Sequence, residues 1–221
     1  MAKDLAIVLN NGSLASAVTA AIAAQKYRPI LVYIDVTAHE VPLRRKVAYD
    51  LQVGHFKPFR EHTLAMPFAS LPHDKSMAGS VGSTDPRQAT PLTPTLRDLV
   101  PLLGAAVTLA VAYQASAIYT GLRVGTGVDE LSQGMEFTQI WNEMLQLTLG
   151  RPDTELLMPL LELEPWQVVD LGFQVNAPLE RTWSCIDEHG DACGSCRGCR
   201  TRESAFMQAA KLDPLKPVRK M

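Results

Sequence analysis

The chain has 221 residues, 47% hydrophobic and 20% charged, with 21 basic against 23 acidic side chains and a net charge of −2. This composition excludes wholesale disorder and the fibrous and disulfide-scaffold classes, and it supplies no global electrostatic drive toward nucleic acid or an anionic membrane. Polar residues interrupt every apolar stretch before the ~20 residues a span needs, and Met1-Ala2-Lys3-Asp4 runs on without a secretory pattern, so a cytoplasmic protein with no membrane partner is expected.

Leu5 to Leu9 is a continuous apolar run, the pattern of a strand buried on both faces. Asn10-Asn11-Gly12-Ser13 is turn chemistry, and the Ala-rich stretch Leu14 to Lys26 reads as a helix. Ile30 to Ile34 is a second apolar run, so the first 35 residues form one βαβ unit. Val41 to Val53 reads as an amphipathic helix with Arg44, Arg45 and Lys46 on its wet side. Residues 66–101 hold six of the fifteen prolines and read as a long irregular excursion, with a lid and a disordered tract both open.

Leu102 to Gln114 resumes as an apolar helix, and Ala117 to Thr120 is a third strand. Arg123 to Gly134 is Gly-rich and loop-like. Phe137 to Leu149 has helical spacing, with Phe137, Ile140, Trp141, Met144, Leu145 and Thr148 on one side. Leu156 to Leu161 reads as a short strand. Glu164-Pro165-Trp166 opens a helix that Gly172 closes, and a last helix covers about 201–211. The alternation predicts an α/β fold with a doubly wound, mainly parallel sheet, whose ligands sit at the carboxyl ends of the strands. Residues 1–180 are expected to form this domain, and 181–221 a C-terminal metal-binding segment.

All four cysteines lie in one window, Cys185-x7-Cys193-x2-Cys196-x2-Cys199. Four soft ligands at this spacing suit one tetrahedral zinc ion, and a complete shell makes the site structural. Two disulfides, four unrelated thiols and an iron–sulfur cluster stand as alternatives. Gly190, Gly194 and Gly198 are expected to supply turns between the ligands, and Arg200 and Arg202 to compensate the thiolate charge.

The segment Arg181-Thr182-Trp183-Ser184-Cys185, followed by Cys193-Gly194-Ser195-Cys196-Arg197-Gly198-Cys199-Arg200-Thr201-Arg202 and Ala205-Phe206, resembles the zinc motif of the 7-cyano-7-deazaguanine synthases. These QueC-like enzymes belong to the PP-loop ATP pyrophosphatase superfamily, with an adenine nucleotide α-hydrolase-like fold. They use ATP to convert 7-carboxy-7-deazaguanine and ammonia into the nitrile precursor of queuosine. The resemblance implies a PP-loop after the first strand, where the family form is Ser-Gly-Gly-Leu-Asp-Ser. Here the place holds Asn11-Gly12-Ser13-Leu14-Ala15-Ser16, so Gly12, Leu14 and Ser16 match while Asn11, Ser13 and Ala15 depart. Such a loop aims backbone N–H groups and a helix N-terminus at phosphate oxygens. Ser13 adds a Cβ, and Ala15 removes a carboxylate from the metal–phosphate end. Anion binding by Asn11, Gly12, Ser13 and Ser16 survives these changes, whereas organised Mg–ATP chemistry is weakened.

The family's Val-Pro-Gly-Arg-Asn motif falls around Thr93-Pro94-Thr95-Leu96-Arg97, where Arg97 is the candidate for the motif's arginine. Its substrate loop, Tyr-Pro-Asp-Cys-Arg, aligns with Glu130-Leu131-Ser132-Gln133-Gly134, which puts Ser132 where the acid would meet the base. The resemblance thus implies a diverged homologue impaired in nitrile formation, acting on a nucleotide or deazaguanine-like ligand or a protein partner. An active ligase for this or another carboxylate is the alternative. No catalytic residue is assigned. A homodimer, or a heterodimer with an active relative, is expected.

Among other residues, Asp35 ends the second strand and is a candidate for an adenine or ribose contact, with a solvated loop acid as the plainer reading. His39-Glu40 fits either a remnant loop or a helix cap. His55, His62 and His73 lack ligand spacing. Trp141, Trp166 and Trp183 read as core or interface anchors, and the basic C-terminal residues lack the interleaved aromatics of a nucleic-acid surface.

Overall fold

The computed structural model describes residues 4–36, 44–67, 94–124, 127–149, 154–187 and 190–215. Most of the Pro-rich excursion, 68–93, lies outside them, as do His39, Glu40 and His73.

Five strands form one parallel sheet: β1 (Leu5–Leu9), β2 (Arg28–Asp35), β3 (Arg60–Ala65), β4 (Ala117–Thr120) and β5 (Glu155–Leu157), in the order β3-β2-β1-β4-β5. β1 is central, with Ile7 opposite Ile30 on one side and Ile118 on the other. The doubly wound parallel sheet expected from the alternation is therefore present.

The apolar strands have two buried faces because helices cover both. On one face Ile7, Ile30, Val32 and Ile118 meet α3 (Pro94–Tyr113) and α4 (Val128–Leu149). On the other, Ala6, Val8, Leu31 and Tyr119 meet Ala20 and Ala23 of α1 (Leu14–Lys26) and Tyr49 of α2 (Arg44–Phe56). A third cluster joins Val18 of α1, Val168 and Val169 of α5 (Pro165–Gln174) and Phe206 of α6 (Arg197–Gln208). The C-terminal segment is thereby docked on the sheet domain.

Several elements differ from the sequence reading. β3 was not anticipated, because Arg-Glu-His-Thr-Leu-Ala is mostly polar; it pairs through its backbone at a sheet edge, where half-exposed residues are admitted. Helix α3 begins at Pro94 rather than Leu102. Proline is harmless at a first helical position, and Pro101 is carried inside by the buried stripe Leu96, Leu99, Leu103, Ala106 and Ala110. Thr95–Tyr113 is also long and apolar enough to cross a membrane, contrary to the reading of interrupted stretches, yet this stripe packs into the core.

Helix α4 starts at Val128, within the expected loop 123–134. Asp129 and Glu130 suit its first turn, where they face the helix dipole. Its apolar residues divide between two faces. Phe137 and Leu145 are buried, while Ile140 and Met144 are exposed, with Leu147 86% exposed beside them. Gly172 does not close α5, which continues to Gln174; a Cβ at Gly172 would lie 3.0 Å from Leu179 and Val18 side chains. α6 begins at Arg197, earlier than expected, because Cys196 caps it.

Candidate functional site

A cleft of about 270 Å³ opens at the carboxyl ends of β1, β2 and β4, at the switch point where the chain's strand order reverses. Leu9 and Asn11 line one wall, Thr120 to Arg123 another, and Val32 and Ile34 a third. Thr95, Asp98, Leu99 and Leu102 of α3 close it. A second cavity of about 360 Å³ lies across the loop, between α1, α5 and the C-terminal segment.

The loop between β1 and α1 separates the two. Asn10, 2% exposed, anchors it: its Nδ2 donates to Gln52 Oε1 at 2.8 Å, and Gln52 Nε2 donates on to the Arg181 carbonyl at 2.8 Å. Gly12 has φ +76°, and a Cβ there would meet the Arg45 carbonyl oxygen at 2.1 Å, so only glycine fits. Its carbonyl accepts from the Trp183 N–H at 2.9 Å, which couples the loop to the cysteine segment.

The loop's donors are largely spoken for. Gly12 N–H donates to Asn10 Oδ1 at 2.8 Å, Ser13 N–H to Asn11 Oδ1 at 3.2 Å, and Ser16 N–H to Ser13 Oγ at 3.2 Å. Ser13 is thus the N-cap of α1. Ser16 Oγ also donates to Asn11 Oδ1 at 3.1 Å.

Of the predicted nucleotide residues, Asn11, Ser13 and Ser16 line the cleft around Gly12. Asp35 and Arg97 are not among its lining residues. Arg97 is an exposed side chain on α3 whose Nε lies 3.5 Å from Asp98 Oδ1. Ser132 is an exposed position within α4 rather than a loop residue. The sequence reading missed Arg123, which lines both cavities and whose Nε donates to the Leu163 carbonyl at 2.7 Å. Burial lowers its pKa, opposed by the nearby Glu164 carboxylate. Its only signal in sequence was position, three residues past the end of a central strand.

The four cysteines are free thiols whose Sγ atoms all lie within 4.8 Å of one another. Cys185 and Cys193 are 3.5 Å apart, and Cys185 and Cys196 3.9 Å. Disulfides are excluded at such spacing, since a bonded pair sits at about 2.05 Å. Four ligands at ~2.3 Å around one tetrahedral ion lie roughly 3.8 Å apart, so the set fits a single metal ion. Backbone N–H groups of Asp187 and Cys193 point at Cys185 Sγ, that of Cys196 at Cys193 Sγ, and that of Cys199 at Cys196 Sγ, all at 3.3–3.4 Å. These donors favour thiolate. The N–H of Ser195, then that of Cys196, lowers the Cys193 pKa to about 6, and the N–H of Cys199 lowers that of Cys196. Burial pushes Cys199 up to about 12, a shift a bound cation reverses.

Two features of this segment differ from expectation. Gly198 makes no turn; a Cβ there would lie 1.9 Å from the Ser184 carbonyl, so it admits the close approach of α6. Arg202 does not compensate the thiolates but grips Asp213 with Nε and Nη2 at 2.6 and 2.8 Å.

The parallel sheet, the glycine loop at its switch point and the four-thiolate cluster define a PP-loop α/β protein with a metal-binding C-terminal segment. The chain matches the family model for the queuosine biosynthesis protein QueC over residues 5–210 and belongs to that family. It is 39% identical to a 7-cyano-7-deazaguanine synthase of Aliarcobacter butzleri over 119 residues, 50% of each chain. It is 26% identical to that of Acidobacterium capsulatum over 230 residues, 96% of each. The match thus spans about half the length of the first relative and nearly all of the second. Among solved structures, the U34-tRNA thiolase NcsA of Methanococcus maripaludis aligns with a TM-score of 0.48 and 11% identity, covering 94% of this chain and 66% of that one.

Proposed function

We propose that this QueC-family chain is a ligand-binding homologue impaired in ATP-dependent nitrile formation. The observation that carries this reading is the self-satisfied loop: three N–H groups that a phosphate would need are held by the side chains of Asn10, Asn11 and Ser13. To bind a polyphosphate there, each N–H would exchange one acceptor for another, which removes most of the net gain. Ala15 offers no carboxylate to hold a magnesium ion at the same place. The cleft, at about 270 Å³, sits just below the range of ordinary small-molecule sites and suits a single flat ring.

Zinc is the metal proposed for Cys185, Cys193, Cys196 and Cys199, since a closed four-thiolate shell suits a structural zinc ion. Bound there, it would fix the loop through Trp183 and Gly12. Ile140, Met144 and Leu147, spaced on one exposed face of α4, are proposed to pair with a second copy or with an active relative.

The test is direct. Metal-loaded protein is incubated with ATP, magnesium, 7-carboxy-7-deazaguanine and ammonium, and nitrile and pyrophosphate are measured. No product, alongside measurable nucleotide binding, is the expected result. Nitrile turnover comparable to an active synthase would refute the reading and establish the alternative, an active ligase, which membership across residues 5–210 favours. Restoring Ser13→Gly and Ala15→Asp together should then raise activity.

A further inference from the structure

The two cavities flanking the loop differ in charge. The cleft at the strand ends has apolar walls and one acidic and one basic lining residue, Asp98 and Arg123. The second cavity is lined by Arg45, Arg123, Arg197 and Arg202, with no acidic side chain among its lining residues. Arg202 is neutralised by Asp213, yet the wall stays strongly cationic. Arg123 and Ser13 are the two residues common to both cavities.

The geometry of Arg123 is that of a held but uncommitted cation. Its Nε is fixed on the Leu163 carbonyl at 2.7 Å. A guanidinium carries five N–H donors, and one is used there. Among the described residues the four on Nη1 and Nη2 have no hydrogen-bond acceptor. Anchoring one edge sets the plane of the fork, and a planar fork matches a phosphate with two parallel bonds. Partial burial strengthens such a contact, and it already lowers the Arg123 pKa.

We propose that Arg123 is the specificity-determining cation of this protein, binding a phosphate group of the ligand where the two cavities meet. The inference rests on the ligand-binding reading above and deepens it. The loop's own donors are occupied, so recognition of the anion passes to a side chain on the opposite wall. The apolar cleft takes the ring of a nucleotide, and its phosphate turns toward the cationic cavity.

The test uses the full, metal-loaded chain with pyrophosphate and AMP as probes, without magnesium, in isothermal calorimetry. Arg123→Gln keeps an amide that can reach Leu163 but removes the charge. The expected loss is about 10- to 100-fold in affinity, the scale of a charged hydrogen bond, with unchanged metal content and melting temperature. AMP binding tighter than pyrophosphate assigns the phosphate to a nucleotide, and the reverse assigns it to a free anion. Arg123→Gln binding either probe as well as the parent overturns the proposal, as does a parent that binds neither. Should that variant fail to fold, phenylglyoxal labelling of the parent decides. Pyrophosphate should protect Arg123 several-fold while leaving the exposed Arg97 unchanged, and equal labelling of Arg123 overturns the assignment. The nitrile assay is a separate readout: turnover there would refute the impaired-homologue reading without altering this comparison.

Discussion

Arg202→Ala tests what docks the cysteine segment on the sheet domain. All three nitrogens of this side chain are engaged. Nε and Nη2 hold Asp213 at 2.6 and 2.8 Å, Nη1 donates to Thr182 Oγ1 at 2.7 Å, and Nη2 donates to the Leu179 carbonyl at 3.2 Å. The guanidinium also lies 5.1 Å from the centre of the Phe206 ring. The pair is buried, with 8% and 5% of the two side chains exposed. Deleting one partner leaves the Asp213 carboxylate buried with only the Leu215 N–H at 3.0 Å to satisfy it. Breaking such a pair costs about 3–5 kcal/mol, a large share of the 5–15 kcal/mol typical of a domain.

The assay is urea unfolding of metal-loaded protein followed by tryptophan fluorescence. The double variant Arg202→Leu with Asp213→Leu should regain most of the loss, because two apolar groups leave no stranded charge. A cost below about 1 kcal/mol for Arg202→Ala, the scale of a surface pair, would refute the reasoning. So would a double variant no better than the single one.

Chelation of the metal should raise hydrogen exchange from Arg181 onward before the sheet melts, since the segment's ligands lie within 185–199; uniform exchange throughout would contradict this. Gly12→Ala should cost about 2 kcal/mol or more in melting experiments, because a Cβ meets the Arg45 carbonyl at 2.1 Å at a φ of +76°; a neutral effect would show that the loop relaxes. Burial raises the Tyr49 pKa above its ordinary value near 10. The folded state therefore holds this proton more tightly, and stability is intact below pH 10 and falls above it by up to about 1.4 kcal/mol per pH unit. Tyr49→Phe should flatten that slope while losing the bond to the Leu31 carbonyl, roughly 1 kcal/mol; an unchanged alkaline slope would sink the argument.

Much of the fold was legible because its signals are local. Continuous apolar runs marked β1, β2 and β4, which are buried on both faces by helices, and Ala-rich chemistry marked α1. The cysteine spacing announced a cluster that the structure closes to within 4.8 Å. Where elements were missed, a long-range partner outvoted the local signal. β3 is polar but borrows its ladder from β2. α3 absorbs Pro101 because its opposite stripe is buried, and Gly134 sits inside α4 facing Leu161 and Val124, where a Cβ would lie 3.1 Å from Leu161.

The candidate site divides in the same way. Loop position, the matching Gly12 and the thiolate set follow from residue order, since each depends on neighbours within a few residues. Three things required the tertiary structure: Asn10 bonded to Gln52, forty-two residues away; Trp183 seated on Gly12; and Arg123 held by Leu163 between two cavities. Each joins segments that are distant in sequence, and such contacts exist only once the sheet has brought its strand ends together.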